Sequence, residues 1–96
     1  METFRALHIE GHLFFVTATI VDWVRILKKK QYRDIVLNSL KWLHTNDRIK
    51  LYAFVIMPNH LHFISKPTDE YSINQILQIF SSFTAHEFLK NLKIGD

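Results

Sequence analysis

Residues 52–65 read YAFVIMPNHLHFIS, and this stretch decides the fold. With the preceding Ile49, Lys50 and Leu51 it forms a run, residues 49–57, whose far end is continuously apolar, as in a strand buried in a sheet. Met57, Pro58 and Asn59 then supply a turn, because proline fixes φ and removes a donor while asparagine tolerates the left-handed region. Residues 60–66 return as a second strand of a hairpin. His60 and His62 stand two apart on it, so both side chains project from one face, with a backbone separation of about 6.6 Å. Leu61 and Phe63 take the other, apolar face, which predicts that the two histidines look away from the helices.

Upstream of the hairpin, residues 30–45 place Tyr32, Ile35, Val36, Leu40 and Leu43 at three- and four-residue spacing, one face of a helix. The polar residues 45–48 break it. Residues 13–21, LFFVTATIV, are rich in β-branched and aromatic side chains and read as a first strand, introduced by Gly11. Downstream, Pro67, Thr68 and Asp69 end the hairpin, and Ser72 with Gln75 three residues on matches a capping box. The helix it opens carries Ile73, Ile76, Leu77, Phe80, Phe83 and Leu92 close to one stripe, and the sequence stops at Gly95 and Asp96.

The order strand, helix, strand, strand, helix predicts one α+β domain over residues 1–96, an antiparallel sheet with both helices on one face. One more strand would complete the ferredoxin-like β-α-β-β-α-β unit, a superfold that by itself says nothing about function. The lack of that strand predicts a chain incomplete at its C-terminus. It also predicts an unpaired, apolar edge along residues 13–21, and hence a homodimer or aggregation through it.

Composition narrows the chemistry. Ninety-six residues, 48% hydrophobic and 22% charged, fit a single small globular core. No cysteine is present, which excludes disulfides, thiolate metal sites and cysteine nucleophiles, and leaves six histidines as the ligand supply. The N-terminus lacks the layout of a secretory signal and no apolar stretch approaches membrane-spanning length, so a cytoplasmic location without membrane partners is the default expectation. The formal charge of +3 is unevenly spread. Arg25, Lys28, Lys29, Lys30 and Arg33 fall close together, and such a cluster serves either as a solvated helix start or as a phosphate-contacting patch.

By spacing alone, a His-x-His pair serves packing more often than metal binding, although two imidazoles this close can converge on one first-row divalent ion. His8, His12, His44 and His86 stand singly, with no partner at ligand spacing. Two glycines allow no phosphate-cradling loop of the Walker or dinucleotide kind. No carboxylate pair has the spacing of a glycosidase or nuclease.

The string MPNHLHFI after an apolar strand resembles the metal-binding hairpin of the single-tyrosine HUH transposases, of the insertion-sequence and REP-associated type. His60, Leu61 and His62 fill its histidine-hydrophobic-histidine motif. The resemblance extends to GHLFFVTATI and to SINQILQIFSSFTAHEF, spanning nearly the whole chain, with the hairpin as its distinctive part. It implies a ferredoxin-like domain that binds hairpin and single-stranded DNA. It also implies Mg²⁺ or Mn²⁺ held by His60 and His62 on a scissile phosphate, and DNA transposition through a tyrosine that becomes a 5′-phosphotyrosine as a 3′-hydroxyl is freed.

In that family the nucleophile and a further metal ligand lie on a later helix, beyond this sequence. Tyr32, Tyr52 and Tyr71 sit on a helix stripe, inside a strand and at a helix start, so no catalytic tyrosine is assigned and no DNA cleavage by the chain alone is expected. Two other classes compete. A non-catalytic nucleic-acid-binding ferredoxin-like module of the RNA-recognition kind would need a glycine and alternating aromatics where HLHFISK stands. In a purely structural domain both histidines would pack, and divalent metal would not bind.

Overall fold

The computed structural model describes residues 2–20 and 25–92. Its elements are β1 (Glu2–Glu10), β2 (Leu13–Ile20), a single 3₁₀ turn (Ile26–Lys28), α1 (Lys30–Thr45), β3 (Ile49–Ile56), β4 (His60–Pro67) and α2 (Ile73–Leu92). Val21 and Trp23, at the end of the expected first strand, lie outside the described residues. So do Gly95, Asp96 and the side chain of Leu92.

The four strands form one antiparallel sheet in the order β1-β2-β4-β3. From β2 to α2 the elements follow the order read from the sequence, and the α+β class with an antiparallel sheet holds. The edge expectation does not. β1 pairs antiparallel with β2 along nearly its whole length, from Glu2 opposite Ile20 to Glu10 opposite Leu13. It occupies the place beside β2 that a final strand would take in the ferredoxin-like unit, so residues 13–20 are central and cannot be the docking edge for a second copy. The hairpin turns at Gly11, whose φ of +53° is strained for side-chain-bearing residues.

Alternation sorts the two faces of the sheet. Val16, Ala18 and Ile20 on β2 and Leu61 and Phe63 on β4 are buried. They meet Tyr32, Val36, Leu40 and Leu43 of α1, and Ile76, Leu77, Phe80 and Phe88 of α2, in one core. Phe80 joins the layers, its ring 6.0 Å from both Phe4 of β1 and Phe63 of β4. On β3 the register slips between Leu51 and Ala53, a bulge at Tyr52. The helix-facing set therefore changes from Ile49 and Leu51 to Phe54 and Ile56, which stand opposite Phe63 and Leu61, with Phe54 still 45% exposed at the sheet edge.

Two caps fix the helix ends that frame the sheet. At α2, the Ser72 N–H donates to Gln75 Oε1 at 2.9 Å and the Gln75 N–H donates to Ser72 Oγ at 3.1 Å, the reciprocal box expected from the sequence. At the end of α1, the Arg48 N–H donates to the Leu43 carbonyl at 2.9 Å and the Asp47 N–H to that of His44 at 3.3 Å. This is a Schellman closure in which Asp47, at φ 57°, takes the left-handed position usually given to glycine.

Candidate metal and nucleic-acid site

The helices cover one face of the sheet and leave the other open. His60 and His62 stand half-buried on that open face, on the central strand β4, whose backbone is held by ladders on both sides. Their ring centroids are 4.9 Å apart with planes at 76°. Both rings are oriented by neighbours. His60 Nδ1 lies 3.0 Å from Asn59 Oδ1, and because a carboxamide oxygen only accepts, Nδ1 is the donor in this contact, which in the neutral ring leaves the lone pair on Nε2. His62 Nδ1 lies 3.0 Å from Oγ1 of Thr17, the residue opposite it on β2. A hydroxyl either donates or accepts, so this bond orients the ring without fixing its tautomer. The Phe15 ring stacks on His62 with centroids 5.4 Å apart and planes within 12°.

Two imidazoles presented in this way could hold a divalent ion through Nε2, with Nδ1 held by an oxygen partner as metal-ligating histidines commonly are. Among the described residues no third His, Cys, Asp or Glu joins them. The two imidazole nitrogens would offer two ligands to a first-row divalent ion, and any further positions would have to be filled by other donors.

The basic cluster is tied to the same end of the sheet. The Leu27 N–H donates to the Pro58 carbonyl at 2.8 Å and the Ile20 N–H donates to that of Asn59 at 2.9 Å. These bonds latch the 3₁₀ turn and the end of β2 onto the turn before His60. The five cations do not act alike. Arg33 Nη1 donates to the carbonyls of Leu27 and Lys28, and so braces the turn from within. Lys30 pairs with Asp34 at 2.8 Å, one helical turn on. Arg25, Lys28 and Lys29 are exposed.

The remaining candidates have local roles. Tyr32 is buried with its ring 5.6 Å from Phe88. Tyr71 lies under the Arg48 guanidinium, which also covers Trp42, at 5.3 and 5.2 Å. Tyr52 is exposed at the β3 bulge. His12 Nε2 is 3.2 Å from the Tyr71 carbonyl, His8 Nε2 is 2.6 Å from that of Gly11, and His44 Nδ1 accepts the Leu51 N–H at 3.2 Å. Sequence reasoning missed Thr17 and Phe15, and read Asn59 only as a turn former. The alternation of β2 marks Phe15, Thr17 and Thr19 as one face, but only the β2–β4 register puts that face against the histidines.

No curated protein matches the chain in sequence. The solved structure of a REP-associated tyrosine transposase bound to a REP hairpin matches with a TM-score of 0.65 at 19% identity, over 86% of this chain and 50% of that one. At that identity the likeness shows a shared fold, and this chain spans half the length of the solved one. A model of the IS200-like transposases matches residues 8–95, which takes in β2, the MPN turn, both histidines and α2. The chain belongs to the IS200-like transposase family.

Proposed function

We propose that the chain supplies the ion- and phosphate-holding part of a DNA-transposition site acting on single-stranded DNA with a hairpin nearby. The observation that carries this reading is the pair His60 and His62, side by side on the open face with each Nδ1 at 3.0 Å from an orienting oxygen. In this reading His60 and His62 would hold the divalent ion, Mg²⁺ or Mn²⁺. A divalent ion there supplies Lewis-acid polarisation of a phosphate oxygen. Asn59 and Thr17 keep the two rings aimed, Phe15 limits rotation of His62, and Arg25, Lys28 and Lys29 attract the phosphate backbone toward the turn, with Lys30 and Arg33 adding to the local positive potential. The hairpin as partner draws support from the fold shared with a hairpin-bound transposase.

Calorimetric titration with Mn²⁺ in the presence of a short single strand tests the reading. The wild-type chain binds the ion, and His60→Ala and His62→Ala each weaken it by at least about tenfold, the scale on which even outer partners of a ligand act. Equal binding by all three proteins would overturn the metal reading. The lack of a third ligand among the described residues favours a second reading, a nucleic-acid module without chemistry. It predicts single-strand binding that is indifferent to both Mn²⁺ and the histidine substitutions.

A further inference from the structure

The pairing of all four strands puts Arg5, Thr17, His62 and Val55 in one row across the sheet, one residue from each of β1, β2, β4 and β3. Residues paired in this way share a face, so Arg5 lies on the open side with the histidines, two strand spacings or about 10 Å from His62. Arg5 is exposed, and among the described residues it makes no ion pair. The row through Thr19 and His60 and the row through Arg5 and His62 contain no carboxylate. The next row on the same face is apolar: Leu7, Phe15, Ile64 and Ala53. Leu7 in it is 51% exposed.

A single strand has the matching two-sided chemistry, an anionic backbone on one edge and stackable bases on the other. We infer that Arg5 binds a backbone phosphate of a single strand that crosses the open face from β4 to β1, its bases turned toward Leu7 and Phe15. This inference rests on the proposed single-strand reading of the site and adds a direction and a residue to it. Arg5 sets where the strand lies relative to the histidines. Its guanidinium suits the task, since it is always charged and presents a planar fork of donors to phosphate oxygens.

The test measures binding of a short labelled single strand of mixed sequence to the full chain across a potassium chloride series, in chelator and again in Mn²⁺. The expected result is that Arg5→Gln lowers the log–log salt slope by about 0.7, the value for one phosphate contact on a single strand. Arg5→Lys, which keeps the charge, restores most of the slope. Lys41→Gln makes the same charge change on α1, behind the sheet, and leaves the slope at the wild-type value. Equal slopes for Arg5→Gln and the wild type overturn the inference, as do equal losses for Arg5→Gln and Lys41→Gln, which would make the effect one of net charge. An Arg5→Gln chain that self-associates while its slope is unchanged would assign Arg5 to protecting a sheet edge, and also overturns it. A wild-type chain that binds no single strand in either condition overturns both the inference and the reading beneath it.

Discussion

At the scale of single residues, the open face depends on small polar partners. Thr17→Val keeps the shape and strand preference of the residue but removes the oxygen 3.0 Å from His62 Nδ1, and Asn59→Ala removes the acceptor that fixes His60. Each substitution is expected to weaken Mn²⁺ binding by roughly tenfold or more while leaving the melting temperature of Thr17→Val close to wild type. Calorimetry beside a thermal melt separates the two effects, and an unchanged affinity would show that the rings are held by packing alone. The tyrosines give a second expectation. In-line attack needs a hydroxyl about 3 Å from phosphorus, whereas Tyr32 is buried in the core, Tyr71 is pinned beneath Arg48, and Tyr52 is fixed on a strand. A labelled hairpin with single-stranded flanks, incubated with the chain and Mn²⁺, is therefore expected to give no covalent adduct on a denaturing gel. An adduct abolished by Tyr52→Phe would show that the exposed strand tyrosine reaches the site after all.

Among the elements, the end of α1 holds a correctable cost. The Schellman closure there needs a left-handed residue, and Asp47 fills it against a penalty that glycine would not meet. Asp47→Gly is expected to stabilise the fold by about 0.5–1 kcal/mol. For a domain of this size that raises the melting temperature by a few degrees, and a lower one would mean that the Asp47 side chain contributes more than its backbone costs. The bulge at Tyr52 has a different consequence. By shifting the helix-facing set of β3 it turns Val55 to the open face and leaves Tyr52 exposed at the bulge, while the twist that bulges add makes the edge a poorer template for another strand.

For the whole molecule, β1 is the element that changes the physical picture. It adds a strand to the sheet, covers the β-branched edge of β2, and brings Arg5 onto the open face. Removing residues 1–10 is expected to expose LFFVTATI as an unpaired strand and drive concentration-dependent association, whereas the intact chain does not associate through that strand. Sedimentation of the two proteins over a range of concentrations checks this, and identical monomeric profiles would show that β2 is protected by something other than β1.

The local elements followed from the sequence because their signals are local. The alternation through HLHFIS, the turn at MPN, the three- and four-residue spacing of α1 and the Ser72–Gln75 cap each depend on residues a few positions apart. The side on which His60 and His62 lie followed from the same alternation. Which strands lie side by side is set by long-range packing. β1 reads weakly, with Arg5, His8 and Glu10 interrupting its apolar residues, and it becomes a strand by pairing with β2 across the Gly11 turn. Thr17 and Phe15 reach His62, and Arg5 joins their row, only through the β2–β4 and β1–β2 registers. Register is a long-range quantity, set when Val16, Ala18, Leu61 and Phe63 are all buried beneath the helices at once, so no window of the sequence contains it.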